Sequence, residues 1–165
     1  MNDIRIHKES LISIKSIDSD LDGQIHLSNI IQNLFSITGY LYVEASRPNC
    51  PMTDIIDLVK GLKTNSIDWY LDDFCLMFSL TDSDHIISRT LSKTWFAYEH
   101  CIICFFTQKP LRLKKRIPWH EITAGNKSFV MFRGPEEDVV WIGKSYDFDF
   151  DFEKINITGL PIIRL

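Results

Sequence analysis

The sequence predicts an α+β domain built on a mainly antiparallel sheet, and three observations carry that prediction. Apolar residues recur at helical spacing of three and four between about residues 28 and 92. After Lys93 the texture changes to aromatic and β-branched residues in short runs. The turns between those runs are of hairpin length, whereas parallel neighbours need crossovers of a dozen residues or more.

Read in order, Ile12 and Ile14 alternate with polar residues, and a turn-rich cluster follows at Asp18-Ser19-Asp20-Leu21-Asp22-Gly23. Ile25 and Leu27 resume the alternation, which suggests a hairpin. Ser28 offers a cap to a helix carrying Ile30, Ile31, Leu34 and Phe35, which Gly39 ends. Tyr40 to Ala45 reads as a strand. Pro48 and Pro51 keep the next stretch irregular, and Thr53 caps a helix with Ile55, Ile56, Val59 and Leu62 on one face. The spacing of Ile67, Tyr70, Leu71, Phe74, Met77 and Phe78 predicts another helix. A further helix begins at Ser83 or Asp84, since Ile86, Ile87 and Leu91 follow. Strands are expected at Trp95 to Thr107, Ser128 to Phe132, Val139 to Gly143 and Tyr146 to Phe152, forming a meander. Gly159-Leu160-Pro161 turns into a last apolar segment.

At 165 residues, with 45% hydrophobic and 24% charged residues, the chain has the size and composition of one globular domain spanning 1–165. Neither Gly/Ser linker nor internal repeat divides it. Residues 1–8 hold no apolar core of the length a secretory signal needs, and the longest apolar run, Cys101 to Phe106, is far shorter than a membrane span. The expectation is a cytoplasmic protein without membrane partners. Cysteines 50, 75, 101 and 104 are expected as free thiols, because a reducing cytosol and a core of this size make bridges unnecessary. Cys101-x-x-Cys104 lacks the second pair that a zinc site needs.

The net charge of −4 argues against a nucleic-acid surface, which needs a basic stripe to neutralise phosphates. The basic run Leu111-Arg112-Leu113-Lys114-Lys115-Arg116 reads as cations guarding a strand edge. Asp18, Asp20, Asp22 and Gly23 occupy positions 1, 3, 5 and 6 of a calcium loop, but the twelfth position is Asn29 where a bidentate Glu is wanted. No metal or other cofactor is therefore expected. Glycine-rich phosphate loops, HExxH and GxSxG are all absent from the sequence. His100 and His120 are the likeliest-placed polar members of any pocket between helices and sheet, the alternative reading being a small enzyme or ligand-binding domain.

The sharpest feature is Tyr146-Asp147-Phe148-Asp149-Phe150-Asp151-Phe152-Glu153, where aromatic and acidic residues alternate through eight positions. Asp is a poor strand former and same-face carboxylates repel one another, so strand propensity did not select this row. Two readings fit it: an ordinary amphipathic strand, Tyr146, Phe148, Phe150 and Phe152 on one face, whose wet face is acidic, or a docking strip for a basic partner. In size, charge and missing catalytic signature the chain resembles the immunity proteins of bacterial toxin systems. That resemblance implies a cytoplasmic protein that neutralises a cognate toxin, often a basic nuclease. The expected contacts are Asp147, Asp149, Asp151 and Glu153, with Glu136, Glu137 and Asp138 on the neighbouring turn.

Overall fold

The computed structural model describes residues 4–7, 11–15, 20–45, 68–70, 75–79, 84–97, 102–111, 121–122, 126–133, 139–155 and 162–164. The elements are β1 (Ile4–His7), β2 (Leu11–Lys15), α1 (Leu21–Thr38), β3 (Tyr40–Ala45), β4 (Asp68–Tyr70), β5 (Cys75–Ser79), α2 (Asp84–Ala97), β6 (Ile102–Thr107), β7 (Ser128–Arg133), β8 (Val139–Lys144) and β9 (Ile162–Arg164). Among the described residues, all nine strands belong to one sheet, in the order β4-β5-β3-β6-β7-β8-β2-β1-β9. Every pairing is antiparallel except that of β1 with β9. The expected α+β class is therefore what the chain adopts.

Register divides the sheet residues between two faces. Val43, Cys104, Met131, Ile142 and Ile12 lie side by side across five strands, and all five are buried. Onto this face pack Leu27, Ile30, Ile31, Leu34 and Phe35 of α1 with Ile87, Leu91 and Trp95 of α2. Fully burying an aliphatic or Phe side chain is worth about 1.5–3 kcal/mol, so this layer is the main source of stability. The opposite face carries a smaller cluster in which Tyr42 and Phe105 meet at 5.7 Å and Ile122 covers them.

The N-terminal hairpin expected at 11–27 does not form. Ile25 and Leu27 lie inside α1, which starts at Leu21. Asp20 rather than Ser28 is the cap: its Oδ1 accepts from the Gly23 N–H at 2.7 Å. Asp22 in the first turn complements the helix dipole. Gly39, with φ of 98°, ends the helix, and its N–H donates to the Phe35 carbonyl at 2.7 Å.

The helix expected from 66 to 78 is two strands. β4 and β5 extend the sheet beyond β3, with Val43 opposite Leu76 and Leu76 opposite Trp69. A short apolar run satisfies either period, and the ladder offered by β3 decides it. The expected strand at 95–107 is also shorter, since α2 continues to Ala97 and β6 starts at Ile102. The expected elements at Tyr40 to Ala45, from Asp84, and at 128–132 and 139–143 are present. The helix expected from Thr53, the turn at 134–138 and the basic residues 112–116 lie outside the described residues.

Candidate functional site

The acidic strip leaves β8 at Ser145, whose N–H donates to the Ser128 carbonyl at 2.9 Å and whose hydroxyl accepts from the Ser128 N–H at 3.1 Å. The Phe148 N–H then donates to the Ser145 carbonyl at 3.0 Å, closing a turn over Tyr146 and Asp147. The Phe150 N–H donates to the Phe148 carbonyl at 2.8 Å, a three-residue turn. A short 3-10 helix, Phe152–Lys154, follows. The segment is thus a chain of tight turns and not the expected strand. Asp disfavours the ladder and favours turns through its own side chain. Asp151 shows that directly, because its Oδ1 accepts from the Glu153 N–H at 3.0 Å and caps the 3-10 helix.

The alternation nevertheless sorts the side chains. Phe148 and Phe152 are buried and Phe150 is half-buried, while Asp147, Asp149, Asp151 and Glu153 are exposed. What holds them in this order is Phe129 on β7, fully buried, whose ring centroid lies 4.9 Å from Phe148, 5.0 Å from Phe150 and 6.2 Å from Phe152. Successive rings of the strip also meet, at 5.5 Å and 6.4 Å. These separations fall in the range where aromatic pairs attract beyond the area they bury. Lys144 adds a polar tie: its Nζ donates to the Phe150 carbonyl at 2.8 Å and sits 5.8 Å from the Phe152 ring centroid. Four acidic residues are thereby left exposed on a segment that the core anchors through its phenylalanines.

Tyr146 departs from the expected pattern, which placed it on the phenylalanine face. It is 100% exposed. It occupies the first turn with Asp147, and the local alternation does not distinguish it from the three phenylalanines. Glu136, Glu137 and Asp138 lie outside the described residues.

Other expected chemistry is placed as follows. Asp20 and Asp22 serve the start of α1, and Gly23 is helical and buried where a calcium loop needs it at a sharp turn. Among the described residues there is no group of three or more His, Cys, Asp or Glu that could hold a metal. Asp18, His100, His120 and Cys101 lie outside the described residues. Cys104 is a free thiol, and burial pushes its pKa up, which leaves it protonated and a poor nucleophile. Sequence reading missed Glu44, only 3% exposed, which accepts from the Tyr42 hydroxyl at 3.4 Å. The signal was present in its even spacing from Tyr40 and Tyr42, which puts it on a sheet face rather than at an edge.

A concavity lies where nothing in the sequence pointed to one. The antiparallel α1 and α2 approach closely through Ser28 and Ser88, whose hydroxyls are 3.1 Å apart. Beside that contact runs a cleft of about 600 Å³, lined from α1 by Leu21, Gln24, Ile25, Ser28, Asn29 and Gln32 and from α2 by His85, Arg89, Ser92 and Lys93. It lies between the two helices, whereas the alternative reading placed a pocket between helices and sheet near His100 and His120, which lie outside the described residues.

No family model, curated protein or solved structure matches the chain. Among the described residues no helix is long and apolar enough to cross a membrane. Fold and surface define the class as an α+β domain carrying an aromatic-anchored acidic segment.

Proposed function

We propose that the chain is an immunity protein that binds and neutralises a basic, nuclease-type bacterial toxin through the acidic segment 146–153. The observation that carries this reading is the packing of Phe148, Phe150 and Phe152 around Phe129, which holds Asp147, Asp149, Asp151 and Glu153 outward beside the exposed Tyr146. Clustered carboxylates raise the encounter rate with a cationic partner by orders of magnitude and repel acidic competitors. A segment already ordered in the free protein loses little entropy on binding, so more of the contact energy appears as affinity. Neutralisation then follows from covering the cationic groove that a nuclease uses for its own phosphate substrate.

The second reading, a ligand-binding domain, rests on the cleft between α1 and α2, whose volume is that of a small-molecule site. The test of the first reading is capture of the partner from native cytosol, followed by coexpression. The captured protein is expected to arrest growth alone and to be silenced by this chain. Arrest that persists in the presence of a well-folded, bound chain refutes neutralisation.

A further inference from the structure

Among the described residues, the lining of the cleft between α1 and α2 has a charge opposite to the net charge of the chain. In a chain with 22 acidic and 18 basic residues, the described lining residues include Arg89 and Lys93 and no carboxylate. Both cations are exposed and stand on the α2 wall, one helical turn apart. The α1 wall opposite them carries Leu21, 71% exposed, and Ile25, 48% exposed. Ile86 of α2 is exposed as well, so three of the four exposed large hydrophobic side chains of the described residues belong to this pair of helices. Two ordinary amphipathic helices would have turned these residues inward or replaced them by polar ones.

The shape of the cleft selects among occupants. It follows α1 from Leu21 to Gln32, roughly 16 Å along the axis, and Gln32 meets His85 at 3.1 Å at its far end. A cleft of that length between two helices, with apolar side chains on one wall and cations on the other, suits a third, amphipathic helix. We infer that this cleft docks an acidic amphipathic helix of a partner protein, its apolar residues at i, i+3, i+4 and i+7 lying on Leu21 and Ile25 and its carboxylates facing Arg89 and Lys93. The cleft's described lining shares no residue with the acidic segment 146–153, and the inference does not rest on the toxin reading.

The probe is a synthetic 15-residue helix with Leu at those four positions and Glu flanking them, titrated into the isotope-labelled full chain while backbone amide shifts are followed. Its counterpart carries Lys in place of each Glu. Saturable shifts confined to α1 residues 21–32 and α2 residues 85–93 are expected with the Glu peptide and not with the Lys peptide. The double substitution Arg89→Glu with Lys93→Glu is expected to weaken binding by about tenfold or more, since two exposed attractions become repulsions. Leu21→Ser with Ile25→Ser is expected to weaken it comparably. Both pairs are exposed and lie outside the core, so an unchanged spectrum elsewhere certifies the fold. Equal binding of the Lys peptide, or no shift at millimolar Glu peptide, overturns the inference. So does saturation of the cleft by dodecanoate without the peptide, or cleft shifts that move with protein concentration alone, which assign the trough to a small amphiphile or to a second copy.

Discussion

Replacing Phe129 by Leu tests whether aromatic packing, rather than backbone hydrogen bonding, holds the acidic segment in place. Leu retains most of the apolar burial, so the loss is dominated by the three ring contacts at 4.9, 5.0 and 6.2 Å. At about 0.5–1.5 kcal/mol for each ring pair, weighted toward the two close ones, the expected cost is about 2–3 kcal/mol. With a urea slope of about 2 kcal/mol per molar, the unfolding midpoint falls by about 1–1.5 M. Phe150→Leu, at a half-buried position, is expected to cost about 1–2 kcal/mol. The double substitution is the decisive arm, because Phe129 and Phe150 meet edge-to-face at 83°. Removing the second ring after the first should cost less, by a coupling of about 0.5–1.5 kcal/mol. Equilibrium urea unfolding of the four proteins, followed by tryptophan fluorescence, measures it. Single costs that add to within about 0.3 kcal/mol would show that the rings act independently and would sink the anchoring argument.

Asp20→Ala removes the cap of α1 and is expected to cost about 1 kcal/mol, a fall in Tm of about 2–4 °C by calorimetry. The fall should be the same with and without calcium, since the carboxylate serves the Gly23 N–H; a calcium-dependent difference would contradict the capping role. Gly39→Ala places a Cβ in open space but at a φ of 98°, so its expected cost of about 1–2 kcal/mol comes from the dihedral alone, and Gly39→Asn should cost less. Equal urea midpoints for the wild type and both variants would refute that. The Cys104 thiol, raised by burial, binds its proton more tightly folded than unfolded, so its contribution is present at neutral pH and is lost on going alkaline. Above about pH 8.5 the wild type should therefore lose stability more steeply than Cys104→Ala, by up to about 1.4 kcal/mol per pH unit. Parallel curves in denaturant unfolding from pH 7 to 10 would rule this out.

The parts of the fold legible in the sequence are those where local preference and tertiary demand agree. Tyr40 to Ala45 and Ser128 to Phe132 are rich in aromatic and β-branched residues, and both are central strands of the sheet. Gly39 ends α1 because no other residue accepts its dihedral so cheaply. The misread parts are those where two periods fit one string. Ile25 and Leu27 alternate like a strand, yet Asp20 and Asp22 supply a cap and a favourable first turn, and the helix prevails. Between 66 and 78, spacings of three and four suit a helix, but an open edge at β3 supplies a ladder. In the acidic segment the sorting of side chains was readable and the backbone was not. Two-residue alternation fixes which side chains seek the core, whereas the turns depend on Phe129, 19 residues from Phe148, which no local window contains. The cleft was hidden for a similar reason, because Arg89 and Lys93 become its wall only once α2 lies antiparallel to α1.

The central claim, that the outward carboxylates of 146–153 are the toxin-binding surface, is tested most directly by paired capture from native cytosol. Tagged wild type and a variant carrying Asp147→Asn, Asp149→Asn, Asp151→Asn and Glu153→Gln are loaded at low salt, eluted by a salt step and identified by mass spectrometry. Asn retains the capping oxygen at 151, so the variant loses charge without losing the 3-10 helix. The account predicts one basic protein retained by the wild type, released by salt that screens the exposed charges, and absent from the variant at unchanged Tm. The same protein retained equally by both, or no basic protein retained by either folded chain, would contradict it.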